Sequence, residues 1–144
     1  MNEKELQIKL GNATEKFIAK TLRNAGYWCY NIPKKVGGQP CDLFAFKEGK
    51  STLVWLIDGK HVSSDKVSFT FDRIEPNQIS AFAYARDFAK AKRMGFAIYF
   101  ERTKKLYWFH FNDYVKYTQL GMKSVNMSDL TEFEEVLKDE DSNK

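Results

Sequence analysis

The chain has 144 residues, 43% hydrophobic and 29% charged, the length and composition of one globular unit that can bury a core without metal or disulfide staples. No window approaches the ~18 consecutive apolar residues of a membrane span, and the N-terminus MNEKELQIKL lacks the apolar stretch of a secretory signal. A soluble, cytoplasmic protein is therefore expected. The net charge of +4 divides into −5 over residues 128–144, where seven acidic residues outnumber two basic ones, and +9 over the rest, a basic body suited to a polyanionic partner.

In chain order, Phe17, Ile18, Leu22 and Ala25 recur at helical spacing and predict a first helix over Asn12–Ala25, stopped at Gly26. Tyr27–Ile32 reads as a strand, and Pro33–Pro40 as a basic, glycine-containing loop. Cys41–Phe46 and Ser51–Asp58 predict a hairpin about Lys47–Lys50. A polar stretch to Arg73 precedes a second helix that opens at Glu75-Pro76 and runs to Met94, with Gly95 as its stop. Phe96–Phe100 and Leu106–Phe111 are two further strands, and Thr131–Glu134 has the form of a capping box for a last helix. The order is α-β-β-β-α-β-β-α, an α/β fold with a central mixed sheet flanked by helices. Residues 1–144 are expected to form a single domain, with 128–144 as an acidic C-terminal helix and tail, so that a chain ending near Met127 keeps its fold. The aromatic groups Tyr27, Trp28, Tyr30 and Tyr107, Trp108, Phe109 are expected in the core.

His61 and His110 are the only histidines, so a zinc site of His and Cys, or a histidine-centred triad, has little to draw on. Cys29 and Cys41 are expected to stay free thiols. The apolar run Leu53–Ile57 ends abruptly on Asp58-Gly59-Lys60, and Asp is disfavoured in strands. Asp58 and Lys60 project to one face of an extended chain, and His61 to the other. A hairpin closed symmetrically about Glu48-Gly49 puts Asp42 opposite residue 55 or 56, roughly 7 Å from Asp58. Two carboxylates, the Gly59 carbonyl and waters form a hard oxygen site for Mg²⁺ or Mn²⁺, with the Lys60 ammonium beside it. Such a site suits phosphodiester hydrolysis. A turn residue after a proline and a solvated strand end would account for the same residues without chemistry.

Pro40-Cys41-Asp42 followed by Asp58-Gly59-Lys60, set in this element order, resembles the PD-(D/E)XK nuclease signature. Gly11-Asn12-Ala13-Thr14-Glu15, Ser68-Phe69, Ile74 and Gln78 are similar in order and spacing to the RecU-type Holliday junction resolvases, over roughly Gly11 to Tyr114. The long projection of that family has only the short Pro33–Asp42 loop as its counterpart here, and the third-strand acid is Asp58 where the family often has glutamate. The resemblance implies a restriction-endonuclease-like fold and a metal site of Glu15, Asp42 and Asp58. It also implies Lys60 as the catalytic lysine, Gln78 as a residue lining the site, cleavage of branched DNA in recombination or repair, and a homodimer. Taken as residues, Glu15 equally fits a capping box with Asn12, and Gln78 an exposed polar position. Lys34, Lys35, Lys66 and Arg73, with Lys90, Lys92 and Arg93, are candidate phosphate contacts. A nuclease of linear duplex and a catalytically silent DNA-binding module are the alternatives.

Overall fold

The computed structural model describes residues 2–33, 39–48 and 52–142. Helix α1 (Glu3–Asn24) is followed by strands β1 (Trp28–Asn31), β2 (Leu43–Lys47), β3 (Leu53–Val62) and β4 (Ser68–Thr70), then helix α2 (Pro76–Asp87). Next come β5 (Arg93–Phe100), β6 (Lys105–His110), helix α3 (Phe111–Gln119), β7 (Ser124–Asn126), β8 (Thr131–Glu132) and helix α4 (Phe133–Ser142). Among the described residues, six strands form one mixed sheet in the order β1-β2-β3-β5-β6-β8, in which only the β3–β5 pair is parallel, and β4 with β7 forms a separate two-stranded ribbon. The parallel pair needs a crossover, and α2 supplies it.

Period-two alternation along the strands sends side chains to two opposite cores. On one face Leu43, Ala45, Trp55, Ile57, Ala97 and Trp108 meet Ile18 and Leu22 of α1 and Phe133 and Leu137 of α4. On the other, Phe96, Ile98 and Phe109 meet Phe82 of α2 and Phe111 and Tyr114 of α3. The fold class read from the sequence is therefore correct.

Several element boundaries differ from the sequence reading. Helix α1 begins two turns earlier than expected, because the Asn2 side chain accepts from the Glu5 amide at 2.8 Å and caps it there. Asn12 is thus a mid-helix residue, and the capping box with Glu15 does not form. Helix α2 stops at Asp87 rather than Met94, since Arg93–Phe100 is taken up as a central strand and Lys90 turns the chain at φ 59°. Helix α3 was not anticipated; the His110 ring accepts from the Asn112 amide and starts it. Thr131 and Glu132 pair with Trp108 and Tyr107 instead of capping a helix.

The acidic tail is part of the body. Phe133 is fully buried, with its ring 5.6 Å from Trp55 and 5.5 Å from Trp108. The expectation that the chain can end near Met127 without loss is overturned. Trp28 and Tyr30 also depart from the expected core: they are 51% and 44% exposed, because β1 is an edge strand whose outward face meets no helix among the described residues. Tyr27, Tyr107, Trp108 and Phe109 are buried as expected, and both cysteines are free. Among the described residues, no helix is long and apolar enough to cross a membrane.

Candidate active site

The site lies where β2 and β3 leave the hairpin and α2 begins. Leu43 pairs with Ile57, and one step further the Asp42 amide donates to the Ile57 carbonyl at 3.1 Å. Asp42 consequently stands level with Asp58 rather than two residue rises away. The Asp42 carboxylate accepts from the Gly59 amide at 2.8 Å and from Gln39 Nε2 at 3.4 Å.

Asp58 is fully buried at the middle of β3. Its Oδ1 accepts from Gln78 Nε2 at 2.8 Å, and its Oδ2 lies 3.0 Å from Lys60 Nζ. At that separation the Lys60 ammonium is the direct partner of Oδ2. Burial first, and the Asp42 carboxylate second, push the Asp58 carboxyl up to about 8, with Lys60 pulling in the opposite direction. The neighbouring Cys41 thiol is pushed up to about 12 by burial and by Asp58 and Asp42, which makes it inert.

Lys60 is held by three partners: Asp58, the Arg73 carbonyl at 3.1 Å, and Gln78 Oε1 at 3.3 Å. Gln78 is the hinge of the arrangement. It sits in the first turn of α2, where its Oε1 also accepts from the Glu75 amide in a capping box. One amide thus starts the helix, orients the Asp58 carboxylate and receives the Lys60 ammonium. Gln78 is buried, not the exposed polar residue that the sequence left open.

Glu15 approaches from α1, on the far side of β3, and is 7% exposed. Gly59 makes room for it. A Cβ at that position would stand 3.0 Å from Ile18 Cδ1, 3.5 Å from Asp42 Oδ2 and 3.8 Å from Glu15 Cγ. The two acids therefore converge on the gap left by the missing side chain.

Among the described residues, no group of three or more His, Cys, Asp or Glu side chains is arranged as a preformed metal cage. The donors present nevertheless suit a hard cation, since Mg²⁺ needs only one or two carboxylates and retains water. A buried carboxyl group beside a second carboxylate, as Asp58 is beside Asp42, is also the kind of group a cation would satisfy.

The remaining candidates are more scattered. Arg73 gives the site its backbone carbonyl, while its guanidinium lies over the Phe69 ring at 5.5 Å. Lys66 is exposed in the turn after β3. Lys90 and Lys92 are exposed beyond α2, and Arg93 is paired with Glu140 at 2.8 Å. Lys34 and Lys35 lie outside the described residues. His61 points away from Lys60 toward α1, 3.0 Å from Glu101. Sequence reasoning missed Gln39, which touches Asp42 and whose carbonyl accepts from Asn77 at 3.1 Å. No local pattern marked it.

The architecture, a central mixed sheet flanked by helices, matches the restriction-endonuclease-like fold. Among solved structures, the chain is similar to Hjc, a Holliday junction resolvase from the archaeal hyperthermophile Archaeoglobus fulgidus. The TM-score is 0.60 with 18% sequence identity, covering 88% of this chain and 99% of Hjc. No protein-family model and no curated protein matches the sequence.

Proposed function

We propose that the protein is a divalent-metal-dependent DNA endonuclease that cuts branched DNA as a Holliday junction resolvase, with RecU-type kinship as the finer reading. The observation that carries this is the convergence of Asp42, Asp58, Lys60 and Gln78 from three elements, with Glu15 entering through the gap at Gly59. Asp42, Asp58, the Gly59 carbonyl and Glu15 would hold Mg²⁺ or Mn²⁺. When bound, such a metal supplies a Lewis acid and a water of lowered pKa for in-line hydrolysis. Lys60 balances the charge that grows on the phosphate, and Gln78 fixes Lys60 and Asp58 relative to one another. Lys34, Lys35, Lys66 and Arg73 are proposed to meet the DNA backbone.

A resolvase must cut two opposed strands, which a homodimer does. The exposed aromatic face of β1 and β2 is the surface we assign to the second copy. Trp28, Tyr30, Phe44 and Phe46 are in mutual ring contact there, with Val54 beside them on β3.

The test is cleavage of a synthetic four-way junction beside a linear duplex of the same sequence, with Mg²⁺, Ca²⁺ or EDTA. The expected result is Mg²⁺-dependent cutting of the junction, little cleavage with Ca²⁺, and none in EDTA. Equal cutting of the duplex would identify a linear-duplex nuclease instead, and robust cleavage in EDTA would remove the metal mechanism.

A further inference from the structure

On the α1 side of β3, next to the candidate active site, lies an open recess of about 520 Å³ that no part of the proposed chemistry uses. Its lining includes Ala13 and Phe17 of α1, His61 at the end of β3, Tyr99 of β5, and Glu101 and Lys104 of the following turn. We propose that this recess receives one unpaired nucleobase of the strand that the active site holds, so that the enzyme senses a base free of its partner beside the bond it cuts. The inference rests on the reading of the chain as a DNA nuclease.

Position is the first argument. His61 is two residues beyond Gly59 on the same strand face, roughly 7 Å along the chain, which is close to the step from one nucleotide to the next. Thr14, also in the lining, is the neighbour of Glu15. The recess opens at the carboxyl ends of β3 and β5, which pair in parallel, and open α/β sheets bind ligands at that end.

Chemistry is the second argument. His61 and Tyr99 are cross-strand partners with rings stacked at 5.8 Å and 22°, and Phe17 meets Tyr99 edge-on at 5.5 Å. These rings and Ala13 form an apolar, aromatic wall. Glu101 is fixed at its edge, with Oε1 3.0 Å from His61 Nε2 and Oε2 accepting from the Ser64 amide at 3.0 Å. Lys104, held in a turn at φ 57°, adds a cation at the rim. A mainly apolar wall with a few placed polar groups is the usual build of a small-ligand site. Aromatic walls act on a base only when it has left the stack, because a paired base shows a protein its edges alone. Flaps, and crossovers whose adjoining pairs are opened, offer such bases; continuous duplex does not.

The test fills the recess without touching the active site. Ala13 is exposed on α1, so Ala13→Phe adds a ring there and removes no contact. Binding of the full chain is measured with Ca²⁺ in place of Mg²⁺, on junctions carrying a single abasic nucleotide at successive positions near the cut. For the wild type, one position should weaken binding about 10-fold when its base is missing, a loss typical of base–aromatic stacking. Ala13→Phe should bind the intact junction about 10-fold more weakly and show no further loss at that abasic position. Tyr99→Leu is a second variant with the same expected pattern, and the melting temperature of each reports folding. Equal binding by folded Ala13→Phe and wild type, or indifference of the wild type to every abasic position, overturns the inference and leaves the nuclease reading standing. Failure to bind any DNA overturns both.

Discussion

Asp58 decides how the site behaves without metal. Its carboxyl is pushed up from an ordinary 3.8 to about 8 by burial and by Asp42, so the folded chain binds this proton more tightly than the unfolded chain does. Between those two values the native state holds the extra proton, and metal-free stability therefore falls as pH rises through that window. Asp58→Asn carries no titrating group and should flatten the slope. Melting temperatures in EDTA at pH 5 and pH 8 check this, with parallel slopes for the two proteins counting against it. The same variant should cut on the order of 10²–10³-fold more slowly with Mg²⁺. Lys60→Ala should be equally inactive yet keep its metal affinity, because an ammonium is not a ligand. Gln78→Ala releases both Asp58 Oδ1 and Lys60, and the expected cost is about 10–100-fold in metal affinity or rate. Metal titration followed by calorimetry separates the three variants.

At the scale of elements, α4 shows how much a short terminal helix can carry. Phe133 fills the space between Trp55 and Trp108, and emptying it with Phe133→Ala should cost about 3–5 kcal/mol. Urea unfolding measures that loss, and a change below 1 kcal/mol would show that α4 is peripheral. The charge pattern concealed this role, since Glu134, Glu135, Asp139 and Glu140 dominate the segment while two apolar residues anchor it. Asp58, Gly59 and Lys60 stood out because an apolar run that meets Asp-Gly-Lys is locally costly and invites a chemical reason, but the expected strand end is absent, since β3 continues through them to Val62. The level pairing of Asp42 with Asp58 was not legible, because alternation fixes which face a residue takes and leaves register to the connection. Helix α3 was hidden for a related reason: Phe111, Tyr114 and Val115 suit a continuing strand, and only the cap at His110 turns the chain. In α2, Ala89 and Ala91 continue a helical pattern that the sheet overrides by claiming Met94 and Phe96 for its centre.

For the whole molecule, the outstanding surface is the bare face of β1–β3, which lies on the same side of the sheet as Asp58 and Lys60. Trp28 and Tyr30 stack at 6.1 Å with rings nearly parallel, Phe44 and Phe46 lie against Trp28, and Val54 pairs with Phe46. A groove with Val54, Leu56, Ala85 and Ala89 on its apolar wall and Lys90, Lys92 and Arg93 at its basic end connects this face to α2, where exposed Tyr84 and Phe88 pack at 4.9 Å. At ~200 Å² per aromatic side chain, the exposed parts of these residues come to roughly 600 Å², near the ~800 Å² that each partner gives to a standard interface. Aromatic residues with few charges are the composition of an interface centre, and an uncovered apolar edge strand such as β1 invites pairing. The protein should therefore be a dimer at micromolar concentration, and Trp28→Lys, which puts a charge at the centre of the patch, should make it monomeric by light scattering. Because Trp28 is exposed and has no part in the metal site, the monomer should stay folded and keep its Mg²⁺ affinity. It should nick one strand of a four-way junction where the dimer cuts two. A wild type that is monomeric at these concentrations would remove the aromatic face as the dimer surface, and a monomeric variant that still cuts both strands together would separate dimerisation from resolution.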